Sequence, residues 1–549
     1  MWYLLPMKTL PPFPNVPAAD LTPCVEALLK IIEGLRETVQ QQGEEIGRLK
    51  DEIAVLKGEK ARPKFKPSGM EQEAGGKQEK DPSAEASDVQ AKRPGSAKRS
   101  KTAEMAIHRE VKCPPKEVPA GSRFKGYEPY VVQELALEAC NTQFLVECWQ
   151  TPEGGYVRGE LPEWVDGHFG PRLKATVLYL HHHGRMTQPL LKEMLGELGI
   201  DISTGQIDAL LAHKQEAFSQ EKAALLQAGL DVSSAVTVDD TGARHKGVNG
   251  YTTHIGNDFF AWFGSTDQKS RVNFLRLLQA GRTDIRLTED ALEYMKQQGL
   301  PEALRNALAG SEVRCFSDES AWHAHLQALH IQGERHVRIA TEGLLVGSLL
   351  EDEHWRHLAI ISDDAGQFAV PLLIHGLCWV HAERTIHKLN PGGPLQQQAV
   401  DRVRGEIWTL YADLKAYGKE PAEAKSLELA ARFDTIFTQK TGYASLDLAL
   451  KRLHDNREEL LLILKRPEVP LHTNGSERDI REQVIRKKIS GGTRSDLGRQ
   501  CRDTFLSLKK TCRKLGVSFW QYLLDRIQGT QAIPPLPELV RQRANALAA

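Results

Sequence analysis

Residues 233–267, SSAVTVDDTGARHKGVNGYTTHIGNDFFAWFGSTD, constrain the fold more than any other stretch of this chain. Three β-prone runs, AVTVDDT, GYTTHIG and FFAWFGS, are separated by Gly and Asn at the turns, which predicts an antiparallel meander. The next segment, SRVNFLRLLQAG, switches to helical spacing and stops on a glycine, so a helix follows. After a long interval HLAIISDDAGQF supplies another apolar strand that runs into an acidic pair. The expected order is strand, strand, strand, helix, strand. Asp239 and Asp240 end the first strand, and Asp363 and Asp364 end the fourth.

That order, with carboxylates on those two strands, is what a ribonuclease-H-like core requires, and it places the chain in the α/β class. In-line attack on a phosphodiester needs two divalent ions about 4 Å apart to clamp the attacking and leaving oxygens. Carboxylate oxygens are the ligands that Mg²⁺ or Mn²⁺ prefer. Asp239, Asp363 and, further on in HTNGSERDIREQVIRK, Glu477 are the candidate catalytic and metal-holding residues. Each also has a plain structural role open to it. Asp239 and Asp240 can start the turn at DDTG, Asp363 and Asp364 can cap a following helix, and Glu477, three residues after Asn474, can complete a capping box.

A chain of 549 residues exceeds one ordinary core, so several domains are expected. The net charge of -1 argues against indiscriminate coating of nucleic acid and leaves phosphate binding to local basic runs. The cysteines are scattered and include no CxxC pair, which excludes a disulfide framework. MWYLLPMKTLPPFPNVP lacks a basic leader segment, and no apolar run approaches the roughly 18 residues of a membrane span. A soluble cytoplasmic protein without membrane attachment is expected.

The domain order reads as a tail at 1–20, a zipper at 21–58, a disordered basic linker at 59–115, and an N-terminal module at 116–230. The core follows in two parts, 231–372 and 471–525, around a helical insertion at 373–470, and a tail closes the chain at 526–549. In the zipper, Leu28, Ile32, Leu35, Val39, Gln42, Ile46, Leu49, Ile53 and Leu56 form a heptad seam. Leu at d and β-branched residues at a favour a parallel dimer. The alternative is an amphipathic helix packed on its own protein, with Gly34, Gly43 and Gly47 each weakening it by about 1 kcal/mol. In the N-terminal module, MTQPLLKEMLGELGIDISTGQIDALLAHK has the form of a helix-turn-helix with Ser203 or Thr204 as cap, although plain helical hairpins share that form.

Several segments in order resemble the insertion sequence 66 family of bacterial transposases. They are the zipper and basic linker, HFGPRLKATVLYL, VDDTGARHKG, ISDDAGQF, GLCWVHAERTIHKL and PLHTNGSERDIREQVIRKKISGGTRSDLGRQ. The resemblance implies a transposase of the Asp-Asp-Glu type with Asp239, Asp363 and Glu477 holding two Mg²⁺ or Mn²⁺ ions. It also implies a Cys-Trp-x-His-x-x-Arg element, here Cys378, Trp379, His381 and Arg384, that buttresses the site. The implied partners are the element's terminal inverted repeats and target DNA, a second copy of the chain, and accessory proteins of the element. The family's four-cysteine module is reduced to Cys113, so no zinc is expected, and Cys378 with His381 is read as packing. Residues 281–355 exceed what a minimal core needs, and the sequence assigns them no role.

The run Arg478, Arg481, Arg486, Lys487, Lys488, Arg494, Arg499, with Arg502, Lys509, Lys510, Arg513 and Lys514 beyond it, surrounds Glu477 with positive charge. With its SGGT turn it is expected to form a DNA backbone groove, a solvated helical face being the alternative. Two rival functions keep parts of this pattern: a dimeric DNA-binding protein without catalysis, and a metal-dependent nuclease or resolvase on the same core.

Overall fold

The computed structural model describes residues 107–548, except Pro129, Glu163, Trp164, His213, Lys214, Thr283 and Asp284. The zipper at 21–58 and residues 59–106 of the linker lie outside the described residues. The first elements are a small exposed hairpin, β1 (Cys148–Gln150) and β2 (Tyr156–Arg158). Four helices follow: α1 (Pro171–His182), α2 (Gln188–Glu197), α3 (Thr204–Ala212) and α4 (Glu216–Asp231). Gly199 turns the chain between α2 and α3 at φ +79°, a left-handed backbone that glycine adopts without steric cost. Ser203 caps α3: its Oγ accepts from Gln206 N at 3.2 Å while Gln206 Oε1 accepts from Ser203 N at 2.8 Å, a reciprocal capping box.

The meander is β3 (Ala235–His245), β4 (Val248–Gly256) and β5 (Ala261–Thr266), followed by α5 (Arg271–Leu278). The interval 281–355 holds a two-residue strand pair, β6 (Ile285–Arg286) and β7 (Cys315–Phe316), with α6 (Glu289–Gln297), α7 (Glu302–Ala309), α8 (Glu319–Ala328) and α9 (Glu334–Leu350). Every residue of α9 from Ile339 to Leu350 is buried, and the helix packs on α5 and α6. This segment is therefore core, not a surface loop.

β8 (Ala359–Ser362) and β9 (Ile374–Leu377) complete a five-stranded sheet of order β5-β4-β3-β8-β9. The first three pair antiparallel, while β3, β8 and β9 run parallel. All four residues of β8 are buried, as expected of a parallel strand covered on both faces. The expected domain boundary at 373 is corrected here, because the segment assigned to a helical insertion opens with the fifth strand. IHGL is too short and too mixed to mark a strand by period; it becomes one by pairing with β8.

The rest is helical: α10 (Trp379–His387), α11 (Pro394–Tyr417), α12 (Glu423–Thr438), α13 (Ala444–Asp455), short α14 (Arg457–Leu460) and α15 (Leu462–Lys465), then α16 (Asn474–Ser490), α17 (Asp496–Leu515), α18 (Phe519–Gln528) and α19 (Leu536–Ala548). Residues 526–549, expected as a tail, are also corrected: they include α19, which packs on α4 with Leu536 and Val540 fully buried. Side-chain alternation on β8 feeds two cores. Ile360 joins the one that unites α1–α9 with α17–α19, and Ala359 and Ile361 join the one that unites α10–α15. Among the described residues no helix is long and apolar enough to cross a membrane.

Candidate active site

β3 and β8 bring the first two carboxylates together. Their parallel register pairs Ala235 with Ala359 and Thr237 with Ile361. Asp239, two residues past Thr237, shares its face of β3, and Asp363, the first residue after β8, is near enough for its charge to act on Asp239. Burial, partly offset by the Asp240 N–H that Asp239 accepts, and the charge of Asp363 push the Asp239 carboxyl up to about 7. Asp363 Oδ1 accepts only a 3.3 Å bond from Ala365 N, and a turn follows it. The helix-cap alternative is not realised.

α16 carries Glu477 onto that face. Thr237, one strand step before Asp239, has its Oγ1 2.6 Å from Ser476 Oγ, and both residues are buried. The residue ahead of the helix is Thr473, with no side-chain cap, so Glu477 does not serve a capping box. Its carboxylate lies 3.4 Å from His381 Nε2 and 3.5 Å from Arg384 Nη2, and Oε1 is buried without a hydrogen bond. His381 also acts electrostatically on Asp239. Burial alone would lower the His381 pKa, but the Cys378 thiol and the Glu477 carboxylate together raise it.

The remaining members of that element hold the frame. Cys378 Sγ accepts from Thr473 N at 3.3 Å, just ahead of α16. Trp379 is fully buried and donates from Nε1 to Leu460 O at 2.8 Å.

The neighbouring acids are engaged elsewhere. Successive residues of a strand face opposite ways, and Asp240 receives Lys269 Nζ at 3.0 Å and Gln367 Nε2 at 2.8 Å. Asp364 receives Arg452. Among the described residues no three Asp, Glu, His or Cys side chains already form a metal-ligating cluster. The donor set still suits a hard divalent ion, since two adjacent carboxylates repel each other and a third has a buried, unbonded oxygen.

The basic run divides in a way that corrects the expected groove. Arg486 turns inward to His182 Nδ1 at 3.3 Å, and burial lowers its pKa to about 10. Beyond it, Arg502, Lys509 and Lys510 are buried and paired with Asp503, Glu482 and Asp479. Arg499 bonds Asp267 at 2.6 Å. The SGGT turn is pinned to the β3–β4 hairpin, with Thr493 N donating to Arg244 O at 2.9 Å and Lys246 N to Thr493 O at 2.8 Å. A Cβ on Gly492 would lie 2.3 Å from Arg244 O, so only glycine fits this approach.

Arg478, Arg481, Lys487, Lys488 and Arg494 are exposed. The sequence reading includes Ser476 only as a neighbour of Glu477 and misses Thr237, Lys269 and Gln367. Only Thr237 carries a signal, its position one strand step from Asp239.

The description "Transposase IS66 family" matches residues 333–501, a span that contains Asp363, the Cys378–Arg384 element and Glu477 and leaves Asp239 upstream. The uncharacterized protein y4jO of Sinorhizobium fredii is 43% identical over 323 residues, which are 58% of this chain and 100% of that relative. With that relative covered from end to end and the family signature running from α9 into α17, the chain belongs to the IS66 family of transposases.

Proposed function

We propose that this transposase is of the Asp-Asp-Glu type, cleaving DNA at element ends and joining the freed strand to target DNA on a ribonuclease-H-like core. The observation that carries the reading is the parallel β3–β8 pairing, which ends two residues short of Asp239 and Asp363 and is followed by the charge of Asp363 acting on Asp239, while Ser476, next to Glu477, bonds Thr237. The sheet order and the mixed strand directions agree with such a core.

Asp239, Asp363 and Glu477 would hold Mg²⁺ or Mn²⁺, two ions in all, which supply charge stabilisation at the reacting phosphate. His381 and Arg384 hold the Glu477 carboxylate, and Lys269 and Gln367 keep Asp240 out of the site. In the first reaction a water oxygen bonds to phosphorus, the bond to the 3′ oxygen breaks, and that oxygen takes a proton. In the second the 3′-hydroxyl gives up its proton, bonds to a target phosphorus and displaces the target's own 3′ oxygen. Arg478, Arg481 and Lys488 would meet the DNA backbone, and the α2–α3 pair and the zipper would supply further DNA contact and dimerisation.

The test uses DNA carrying the element's terminal inverted repeats with Mg²⁺, comparing the unmodified protein with Asp239→Asn, Asp363→Asn and Glu477→Gln. Cleavage and joining lost in all three, with DNA binding retained, is the expected result. Normal cutting by all three variants overturns the assignment, and cutting without joining points to a nuclease.

A further inference from the structure

Beside Asp363, between α10 and α13, lies a cleft of about 410 Å³. We propose that it receives one unpaired nucleotide of the DNA strand that runs into the carboxylate site, with its phosphate on Lys388. This rests on the transposase reading above and adds a binding site to it.

The size sets the class of occupant. A volume in the lower part of the roughly 300–1,000 Å³ range of ligand clefts admits a single nucleotide, whereas a duplex cannot enter. The polarity sets its orientation. Asp363 and Asp364 form one wall, Arg384 and Lys388 on α10 form another, and Arg452 stands on α13. Two of the cations are already committed, Arg384 to Glu477 and Arg452 to Asp364. Lys388 is exposed and has no acidic partner among the described residues, so it is the cation left to take a phosphate oxygen.

Leu377, Ala382 and Leu453, all buried, give the cleft an apolar lining. A free phosphate has nothing to place against them. A nucleotide has its sugar and base. Paired bases are stacked inside a duplex, so only an unpaired or extruded nucleotide presents that face. The cleft also borders the acid that the strand must reach for reaction, so a nucleotide lodged there fixes the strand next to the scissile phosphate.

The experiment measures fluorescence anisotropy of labelled duplexes that are blunt or carry a short unpaired 3′ or 5′ tail. Ca²⁺ replaces Mg²⁺, so that binding and not turnover is read. The unmodified protein is expected to bind one tailed duplex more tightly than the blunt one. Lys388→Glu should weaken the tailed complex by about fivefold, the scale of one exposed charge contact, and leave blunt-duplex affinity unchanged. Lys388→Arg should restore the tail preference. The slope of log affinity against log salt for the tailed duplex should fall by roughly 0.7 in Lys388→Ala.

A tail preference that is the same in Lys388→Glu and the unmodified protein overturns the cleft alone. Equal binding of blunt and tailed duplexes by the unmodified protein overturns it as well and leaves the transposase reading standing. Failure to bind any duplex overturns both.

Discussion

Ser476 and Thr237 share one buried hydrogen bond, and its direction can be worked out. Thr237 Oγ1 donates its hydrogen to Gly256 O at 3.0 Å, so across the 2.6 Å separation Ser476 donates and Thr237 accepts. The bond joins the residue before Glu477 to the residue one strand step before Asp239. It therefore fixes the spacing between two proposed ligands that lie far apart in sequence. Ser476→Ala should lower unfolding stability by about 1 kcal/mol, the worth of one hydrogen bond. It should slow cleavage far more than that loss accounts for, since a displacement of about 1 Å at a reacting centre can cost on the order of 100-fold in rate. Denaturant unfolding and single-turnover cleavage on the same preparations check this, with Ser476→Thr expected to recover most of the rate. Full cleavage by Ser476→Ala would show that the bond does not position Glu477.

α16 separates charges by face, and that separation decides which arginines and lysines can touch DNA. Its buried residues, Ser476, Asp479, Ile480 and Gln483, follow the i, i+3, i+4, i+7 spacing of one helix face, yet only Ile480 is apolar. Arg478, Arg481 and Lys488 fall on the opposite side and are exposed. Below the helix, Asp479 meets Lys510 at 3.3 Å and Lys514 at 3.0 Å. These partners, with His254, hold its carboxyl well below the usual range despite burial. Breaking such a buried pair from one side costs roughly 3–5 kcal/mol, so Asp479→Ala should lower the denaturation midpoint steeply. Changing Arg478, Arg481 and Lys488 together to Ala should leave that midpoint nearly unchanged. The same triple change should cut the salt slope of DNA binding by roughly 0.9 for each phosphate no longer neutralised. Lys509→Ala should do the reverse. Equal losses of DNA affinity in the two sets would mean that exposure does not sort these cations. The split explains what the sequence could and could not reveal. The meander, α5, β8 and the Ser203 cap were legible because local period and turn chemistry specify them. The inward faces of Lys509 and Lys510 were not, because charge predicts exposure only where no buried acid awaits it, and Glu482 and Asp479 are supplied by tertiary packing; the burial of Arg486 and Arg502 likewise follows from packing. The proposed choice of Asp239 over Asp240 was equally invisible to residue chemistry, since it depends on which of the two shares a strand face with Thr237.

The two cores meet the sheet from opposite faces, and α17 runs through the molecule with every residue from Cys501 to Cys512 buried. The N-terminal helices α1, α3 and α4 pack on this helix, and two histidines of α1 sit beside the junction. His182 stacks on Phe505 with ring centroids 4.2 Å apart, and His181 Nδ1 donates to Met186 O at 2.8 Å. Burial, reinforced by the Arg486 charge, lowers the His181 pKa to about 4 and pushes that of His182 well down. Unfolding returns each imidazole to an ordinary value near 6.5. Between those limits the unfolded chain binds protons that the folded chain refuses, so stability is greatest above about 6.5 and is withdrawn as pH falls toward 4. At about 1.4 kcal/mol per unit, His181 alone withdraws on the order of 3 kcal/mol across the window. Asp239, raised to about 7, takes up its proton in the folded state and works in the opposite sense, so the prediction concerns a difference between proteins. Urea midpoints measured at pH 7 and pH 5 should separate less in His181→Gln than in the unmodified protein, because glutamine binds no proton in either state. An equal separation would show that the junction between the N-terminal helices and α16–α17 does not depend on a neutral imidazole at His181.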